Sequence, residues 1–262
     1  MTEQRDWGLL CARADELLAR ARAGEITVTH FLTPQEQGRL ARHLSHARGE
    51  WLTEGGYPDA ERRRILFLPD YIREAEEEWR APLLADTLSE LLCPLAIRGS
   101  GYAALTHRDY LGAVLNLGIE RDAVGDICVL SPQEAVLFCD RRMADFLTAS
   151  LTRVARDTVR ASVIGLPTDF DGGRRFEALS LTVASPRADA VVAALCRLSR
   201  ERAQALFAAA LVEIDYEPEQ KPDREVAEGA VLTVRGHGKF IVRSLTDKTK
   251  KGRYRLIADR YI

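Results

Sequence analysis

The chain has 262 residues, 46% hydrophobic and 29% charged, with a formal net charge of −2. That balance argues against a disordered chain and gives room for two or three small domains at roughly 100–200 residues each. No apolar run approaches the roughly 18 residues that a membrane-crossing helix needs.

The five cysteines, Cys11, Cys93, Cys128, Cys139 and Cys196, form no CxxC pair and are odd in number. They argue against a disulfide framework or a zinc site and fit a reducing compartment. Glu3, Arg5 and Asp6 stand where a secretory signal needs an apolar core, so a cytoplasmic location with no membrane partner is expected. Charge is uneven. Residues 180–262 carry 15 Lys and Arg against 11 Asp and Glu, while the residues before them carry 22 against 28. All five lysines lie at or beyond Lys221. A basic tail hints at an anionic partner, with ordinary scatter as the alternative.

In chain order, Trp7, Leu10, Cys11, Ala14, Leu17, Leu18 and Ala21 recur at helical spacing and predict an amphipathic helix over residues 4–22. "ITVTHFL" reads as a strand. Thr33, Pro34 and Glu36 spell a capping box with proline at the first helical position. "EGGYPDAERRRILFLPD" predicts a Gly-Gly turn, a short charged helix and a strand at Ile65–Leu68. The acidic "REAEEEW" suggests a boundary near Trp79, so residues 1–79 form an N-terminal α/β region.

Residues 80–170 read as strand Leu92–Arg98, helix His107–Leu117, strands Asp126–Leu130 and Ala135–Cys139, helix Met143–Arg153 and strand Val159–Ile164. This β-α-β-β-α-β order is the ferredoxin-like or RRM-like pattern. An RNA-binding RRM stacks bases on sheet aromatics, yet the central strands "DICVL" and "AVLFC" offer only Phe138. Asp109 is expected to cap its helix or to pair with Arg108 or Arg121, the alternative being a ribosome or RNA contact. "PTDFDGGRRFE" reads as a loop or linker.

The last segment, 181–262, opens with Ser185-Pro186 and a helix striped by Ala188, Val191, Val192 and Leu195. Ser199 caps a second helix striped by Ala203, Leu206, Phe207 and Ala210. Strands follow at Val212–Ile214, Val231–Arg235 and Lys239–Val242, with a further one over Tyr254–Ile257. The expected fold class is therefore α+β.

Several chemistries fail on spacing. "HRDYLGAVLN" has Val114 where a kinase catalytic loop needs asparagine, and no glycine-rich loop, VAIK-like lysine or DFG accompanies it. His43 and His46 lack a third ligand for a metal. Gly236-His237-Gly238 is a turn with no helix after it, so it is not a phosphate loop. Serine-hydrolase and dinucleotide fingerprints are absent. No catalytic residue, cofactor or metal is expected, and the chain reads as a non-enzyme.

"RAD" at Arg187 and Asp189, "LSRERAQALF", Val212 and Ile214, Lys221-Pro222, Gly229 and "VRGHGKF" resemble the S-four domain, a small αα-β RNA-binding module. Ala210 stands where a helix-ending glycine is usual, Asp215-Tyr216 replaces an Asn-Gly turn, and Ala230 replaces an aspartate. "GGYPDAER" (Gly55–Arg62) and "LTHRDYLGAVLNLGIERDAVGDI" (Leu105–Ile127) extend the resemblance over nearly the whole chain, to YlmH-type proteins, which carry an RRM-like region before a C-terminal S-four domain. The resemblance implies a bacterial, cytoplasmic, ribosome-associated protein. It would bind ribosomal RNA and tRNA on the large subunit in quality control of stalled peptidyl-tRNA, with some members linked to cell division, and a monomer is expected.

The residues suit that role. A helix N-terminus attracts anions through its unsatisfied N–H groups and dipole, and Arg200 and Arg202 follow the Ser199 cap directly. Gln204 flanks the same apolar stripe. Arg187 opens the preceding helix, Lys221 lies in the matching loop, and Arg235, His237 and Lys239 lie on the hairpin, where they could complete a basic surface. A solvated surface charge is the ordinary alternative at each position. Two other readings stay open. An RNA-modifying enzyme of pseudouridine synthase or methyltransferase type needs a catalytic aspartate in a larger sheet domain or a cofactor loop. A cell-division interaction protein predicts no salt-sensitive RNA binding.

Overall fold

A computed structural model describes residues 7–248 and 252–262. The expected helical residues 4–6 and two of the five lysines, Lys250 and Lys251, lie outside the described residues. The protein is mixed α/β with three antiparallel sheets among the described residues. It divides into two compact units, the first ending at Gly173 and the second beginning at Arg174. No helix among the described residues is long and apolar enough to cross a membrane.

The first unit opens with the helix Trp7–Arg22, whose Ala14, Leu17, Leu18 and Ala21 are buried. The helix Pro34–His43 starts as its capping box requires: Thr33 N–H donates to the Glu36 carboxylate at 2.6 Å, and Glu36 N–H donates back to Thr33 Oγ1 at 3.3 Å. These helices share a core with a three-stranded sheet in the order Thr27–Val28, Arg64–Phe67, Trp51–Glu54. "ITVTHFL" supplies only two residues of ladder there, and Trp51–Glu54 is a strand the sequence does not announce. The charged helix expected before Arg64 does not form. Asp126 explains why: its carboxylate accepts from Glu61 N–H at 2.7 Å and Arg62 N–H at 3.0 Å, so these amides are satisfied without a helical turn. The expected boundary near Trp79 falls inside the helix Glu77–Leu91.

The second sheet of this unit holds Cys93–Gly99, Val124–Ser131, Glu134–Cys139 and Asp157–Val163. In space the order is second, third, first, fourth, with the short Arg153–Val154 at the edge. The helices His107–Asn116 and Ala144–Ser150 supply Tyr110, Val114, Ala144 and Leu147 to one core with Leu95, Ile97 and Leu137. The second of these helices is shorter than expected, because Leu151 leaves the helical region and Arg153 enters the edge strand. Asp109 caps its helix: its carboxylate accepts from Thr106 N–H at 2.8 Å and Thr106 Oγ1 at 2.6 Å, which holds its pKa below the usual carboxylate value.

The second unit is a six-stranded antiparallel sheet in the order Glu217–Pro218, Val212–Ile214, Val231–Val234, Gly238–Lys248, Tyr254–Tyr261, Phe176–Val183. Phe176–Val183 is an edge strand that the sequence does not announce, and it takes in only Phe176 and Glu177, the last two residues of the expected loop or linker. It pairs along its whole length with Tyr254–Tyr261. The helices Ala188–Leu195 and Arg200–Ala208 cover one sheet face through Val191, Val192, Leu195, Ala203 and Phe207, against Val212, Leu232, Phe240 and Leu256.

Candidate nucleic-acid interface

The two helices of the second unit are set by their ends. The first closes with Arg197 in the left-handed region (φ 55°), where Leu198 N–H reaches Ala193 O at 2.8 Å and Arg197 N–H reaches Ala194 O. This is the Schellman pattern with arginine in the usual glycine place. Ser199 then caps the second helix, its hydroxyl accepting from Arg202 N–H at 3.2 Å. The turn leaves Arg197, Arg200 and Arg202 exposed together.

At the centre of this arrangement is Asp189, whose side chain is wholly buried. Arg200 clamps it with Nε at 3.0 Å and Nη2 at 3.2 Å. Gln204 Nε2 donates to it at 2.9 Å, and Arg187 approaches at 3.4 and 3.5 Å. Burial alone would raise the pKa of this carboxyl. The hydrogen bonds from Arg200, Gln204 and Arg187 outweigh burial and hold it down to about 2. Asp189 N–H donates to Pro222 O at 2.9 Å and Ala188 N–H to Arg224 O at 2.8 Å, so the loop carrying Lys221 is fastened to the same helix start.

Arg200 and Gln204 both hold Asp189 and are both exposed. The contact does not remove Arg200 from solvent: half of its side chain stays exposed. Asp189 grips one edge of the guanidinium and fixes its plane, leaving its other N–H groups to face water. A guanidinium oriented in this way suits bidentate contact with phosphate. The side chain of Arg202 makes no ion pair among the described residues and is exposed.

The other expected residues are spread more widely. Arg235 and His237 sit on the hairpin turn, and Arg235 N–H donates to Leu211 O at 2.9 Å. Leu211 follows the C-terminal end of the second helix, so this hairpin lies about 13 Å from the Arg200 end, at 1.5 Å per residue. Lys239 neighbours Phe240, which is buried against the helices. Strand alternation therefore turns Lys239 to the opposite sheet face. Arg187, Arg200 and Gln204 are brought together with the Lys221 loop, Arg235 and His237 form a second group, and Lys239 stands on another face. Arg197 was missed by the sequence argument; its place between a helix stripe and an N-cap serine is the signal that could have found it.

In the first unit, the sheet face opposite the helices is closed. Phe138 is wholly buried under Tyr57, with ring centres 5.2 Å apart and planes stacked at 29°, and Phe170 lies against both. Cys128, Val136 and Ala60 complete the patch. Gly56 makes this lid possible: a Cβ there would lie 2.4 Å from the Phe138 ring. Tyr57 Oη donates to Asp126 at 2.7 Å, tying the lid to "GDI". Arg62, itself buried, donates to Phe31 O at 2.9 Å and to Val124 O and Arg121 O at 3.3 Å. His43 Nε2 lies 2.9 Å from Asp15, and among the described residues no group of three His, Cys, Asp or Glu is placed to hold a metal.

Residues 96–166 match the model of a putative RNA-binding domain in YlmH. Over 233 residues the chain is 32% identical to the ribosome-associated protein quality control protein P2 of Bacillus subtilis, covering 89% of this chain and 86% of that protein. The chain belongs to the YlmH family. A solved structure, the cell division protein ylmH from Streptococcus pneumoniae, is 20% identical, covering 63% of this chain and 94% of that one at a TM-score of 0.47. Both stretches that carry the YlmH resemblance meet at Asp126: "GGYPDAER" supplies Tyr57, Glu61 and Arg62, and "ERDAVGDI" the carboxylate.

Proposed function

We propose that this protein is a non-catalytic RNA-binding factor of ribosome-associated quality control, acting in the cytoplasm as a monomer on ribosomal RNA and tRNA of large subunits that carry stalled peptidyl-tRNA. Family membership supports the setting, as does the name of the Bacillus subtilis relative. The strand order second, third, first, fourth is the order of an RRM-like, ferredoxin-like domain, and the helix pair on a sheet with a loop fastened at Pro222 supports an S-four reading of the C-terminal unit.

The observation that carries the proposal is the arginine group around Asp189. A buried carboxylate pre-orients Arg200 beside a capped helix start, with Arg187, Arg197 and Arg202 around it. Structured RNA is recognised largely through phosphates, 2′-hydroxyls and shape, and this surface offers the donors for that. The closed sheet face of the first unit directs any RNA contact of that domain elsewhere than onto Phe138.

Gradient sedimentation tests the proposal. The protein is expected to travel with large subunits when stalled peptidyl-tRNA is present and to leave them as salt rises. Recovery only in the free fraction under the same conditions contradicts it.

A further inference from the structure

The sheet of the second unit has a face turned away from the helices, and aromatic rings alternate with cations across it. Lys239 Nζ lies 4.7 Å from the ring centre of Tyr216 and 4.8 Å from that of Tyr261. Tyr261 meets Phe176 edge to face at 5.0 Å, and the two are direct cross-strand partners. The Arg174 guanidinium lies 5.8 Å over the Tyr261 ring and that of Arg243 5.6 Å over Phe176. Register puts these groups on one face: Lys239 opposes Thr233, Ile241 opposes Asp259, and Tyr261 and Phe176 sit in step with Asp259 and Ala178. Phe240, Val242 and Ala258, which alternate with them, belong to the helix-covered core.

The three rings are half-buried rather than sealed. Asp259 on this face is held by Arg243 at 2.7 Å, and Glu213 lies opposite Thr233. Lys239 and Arg174 add positive charge beside the rings. A sheet face that only met water would be expected to carry polar residues in place of Tyr216, Phe176 and Tyr261. Single-stranded nucleic acid binders combine these two parts, rings for bases and cations for the backbone.

We propose that this face binds single-stranded RNA, with an unpaired base stacked on the Tyr261–Phe176 pair and flanking phosphates held by Lys239 and Arg174. The proposal rests on the RNA-binding function above and deepens it. The helix pair would engage structured RNA from one face of the sheet while an unpaired segment lies on the other. A cross-strand aromatic pair also stabilises a sheet edge, but that role needs apolar bulk, whereas stacking needs an aromatic face. The two roles separate under Tyr261→Leu and Phe176→Leu, which keep the bulk and remove the ring.

The test uses the full-length protein and two RNA probes: a blunt hairpin, and the same hairpin with a short adenosine tail that carries one 2-aminopurine. The tail is expected to tighten binding by about tenfold, since one stacked base contributes about that much. Its fluorescence should be quenched on binding to the wild-type protein. Tyr261→Leu and Phe176→Leu should each abolish most of the tail's advantage and the quenching, leave blunt-hairpin affinity unchanged and melt normally, while Tyr261→Trp retains the advantage. A tail that adds nothing, or an advantage and quenching that survive both leucine variants, overturns the stacking site while leaving the helix-pair reading intact. Absence of binding to either hairpin removes both. Should a leucine variant fold poorly, an unquenched tail on the bound wild-type protein still suffices to reject the site.

Discussion

The carboxylate of Asp189 and the guanidinium of Arg200 form a two-point contact of 3.0 and 3.2 Å, one partner wholly buried and the other half in water. This relationship makes Arg200 a structural group as well as an exposed one, and it separates Arg200 from Arg202, two positions later. Arg202→Ala is expected to change stability by no more than about 0.5 kcal/mol, as exposed substitutions do. It should weaken RNA binding and lower the slope of log affinity against log salt by about 0.7 to 0.9, the share of one phosphate contact. Arg200→Ala should lower the slope similarly and also destabilise the fold by about 1–3 kcal/mol, because it leaves a buried carboxylate short of a charged donor. Urea melts paired with salt titrations of hairpin RNA check both; equal stability costs for the two variants would contradict the Asp189 contact.

Acid should unfold the protein in part through Asp189 and Asp140, the two carboxylates held furthest below their usual range. Asp189 and Asp140 both have folded pKa values of about 2, and burial opposes that lowering in each case. For Asp140 the outweighing partners are Arg142 and Arg64, the latter in a near-buried ion pair at 2.9 Å. An unfolded aspartate titrates at about 3.9. The unfolded chain thus takes up these protons first as pH falls, so their stabilisation is full above about pH 4 and is lost on the way down to about pH 2. Denaturation free energy measured across that window should fall steeply. Asp189→Asn should be less stable at neutral pH and show a shallower decline; an unchanged pH profile in that variant contradicts the assignment.

Two helix ends hold non-glycine residues in the left-handed region: Arg197 at φ 55° and Ala210 at φ 52°. Leu211 N–H reaches Leu206 O at 2.9 Å behind Ala210, so the conformation is fixed by the Schellman bonds. Left-handed backbone costs an L-residue about 1–2 kcal/mol. Ala210→Gly should therefore stabilise the protein by about 0.5–1 kcal/mol, net of the added freedom of the unfolded chain. The thermal midpoint of the second unit's unfolding should rise, and a lowered midpoint counts against the assigned backbone.

Asp126 should matter more to stability than to RNA. It accepts from Tyr57 Oη and from the amides of Glu61 and Arg62. Asp126→Ala is expected to cost about 2–4 kcal/mol, since several donors lose their acceptor at once. Amide hydrogen exchange at Glu61 and Arg62 should accelerate in the variant, while blunt-hairpin affinity stays unchanged.

What the sequence made legible was local. The Thr33–Glu36 capping box, the Ser199 cap and the β-α-β-β-α-β order of the middle segment follow from caps and periodicity within a few residues. What escaped was decided by distant partners. Phe176–Val183 follows a Gly-Gly turn, and its strand partner is Tyr254–Tyr261, far along the chain. The helix expected before Arg64 lost its amides to Asp126 in another element. In the candidate interface the arginines could be named from their place after a cap, but Asp189 gave no sign of organising them, because its nearest partners, Arg200 and Gln204, lie on the next helix. The facing of Lys239 was within reach, since Phe240 beside it is an obvious core residue and strands alternate.

Ultraviolet cross-linking of the protein to RNA on stalled large subunits, with sequencing of the RNA and mass mapping of the peptide, decides whether the arginine group around Asp189 meets ribosomal and transfer RNA. Ribosomal and transfer RNA should be joined to peptides spanning residues 187–204 and 235–239, with the Arg202→Ala variant cross-linking less at the first of these. Recovery of no RNA, or cross-links confined to residues of the first unit, would contradict it.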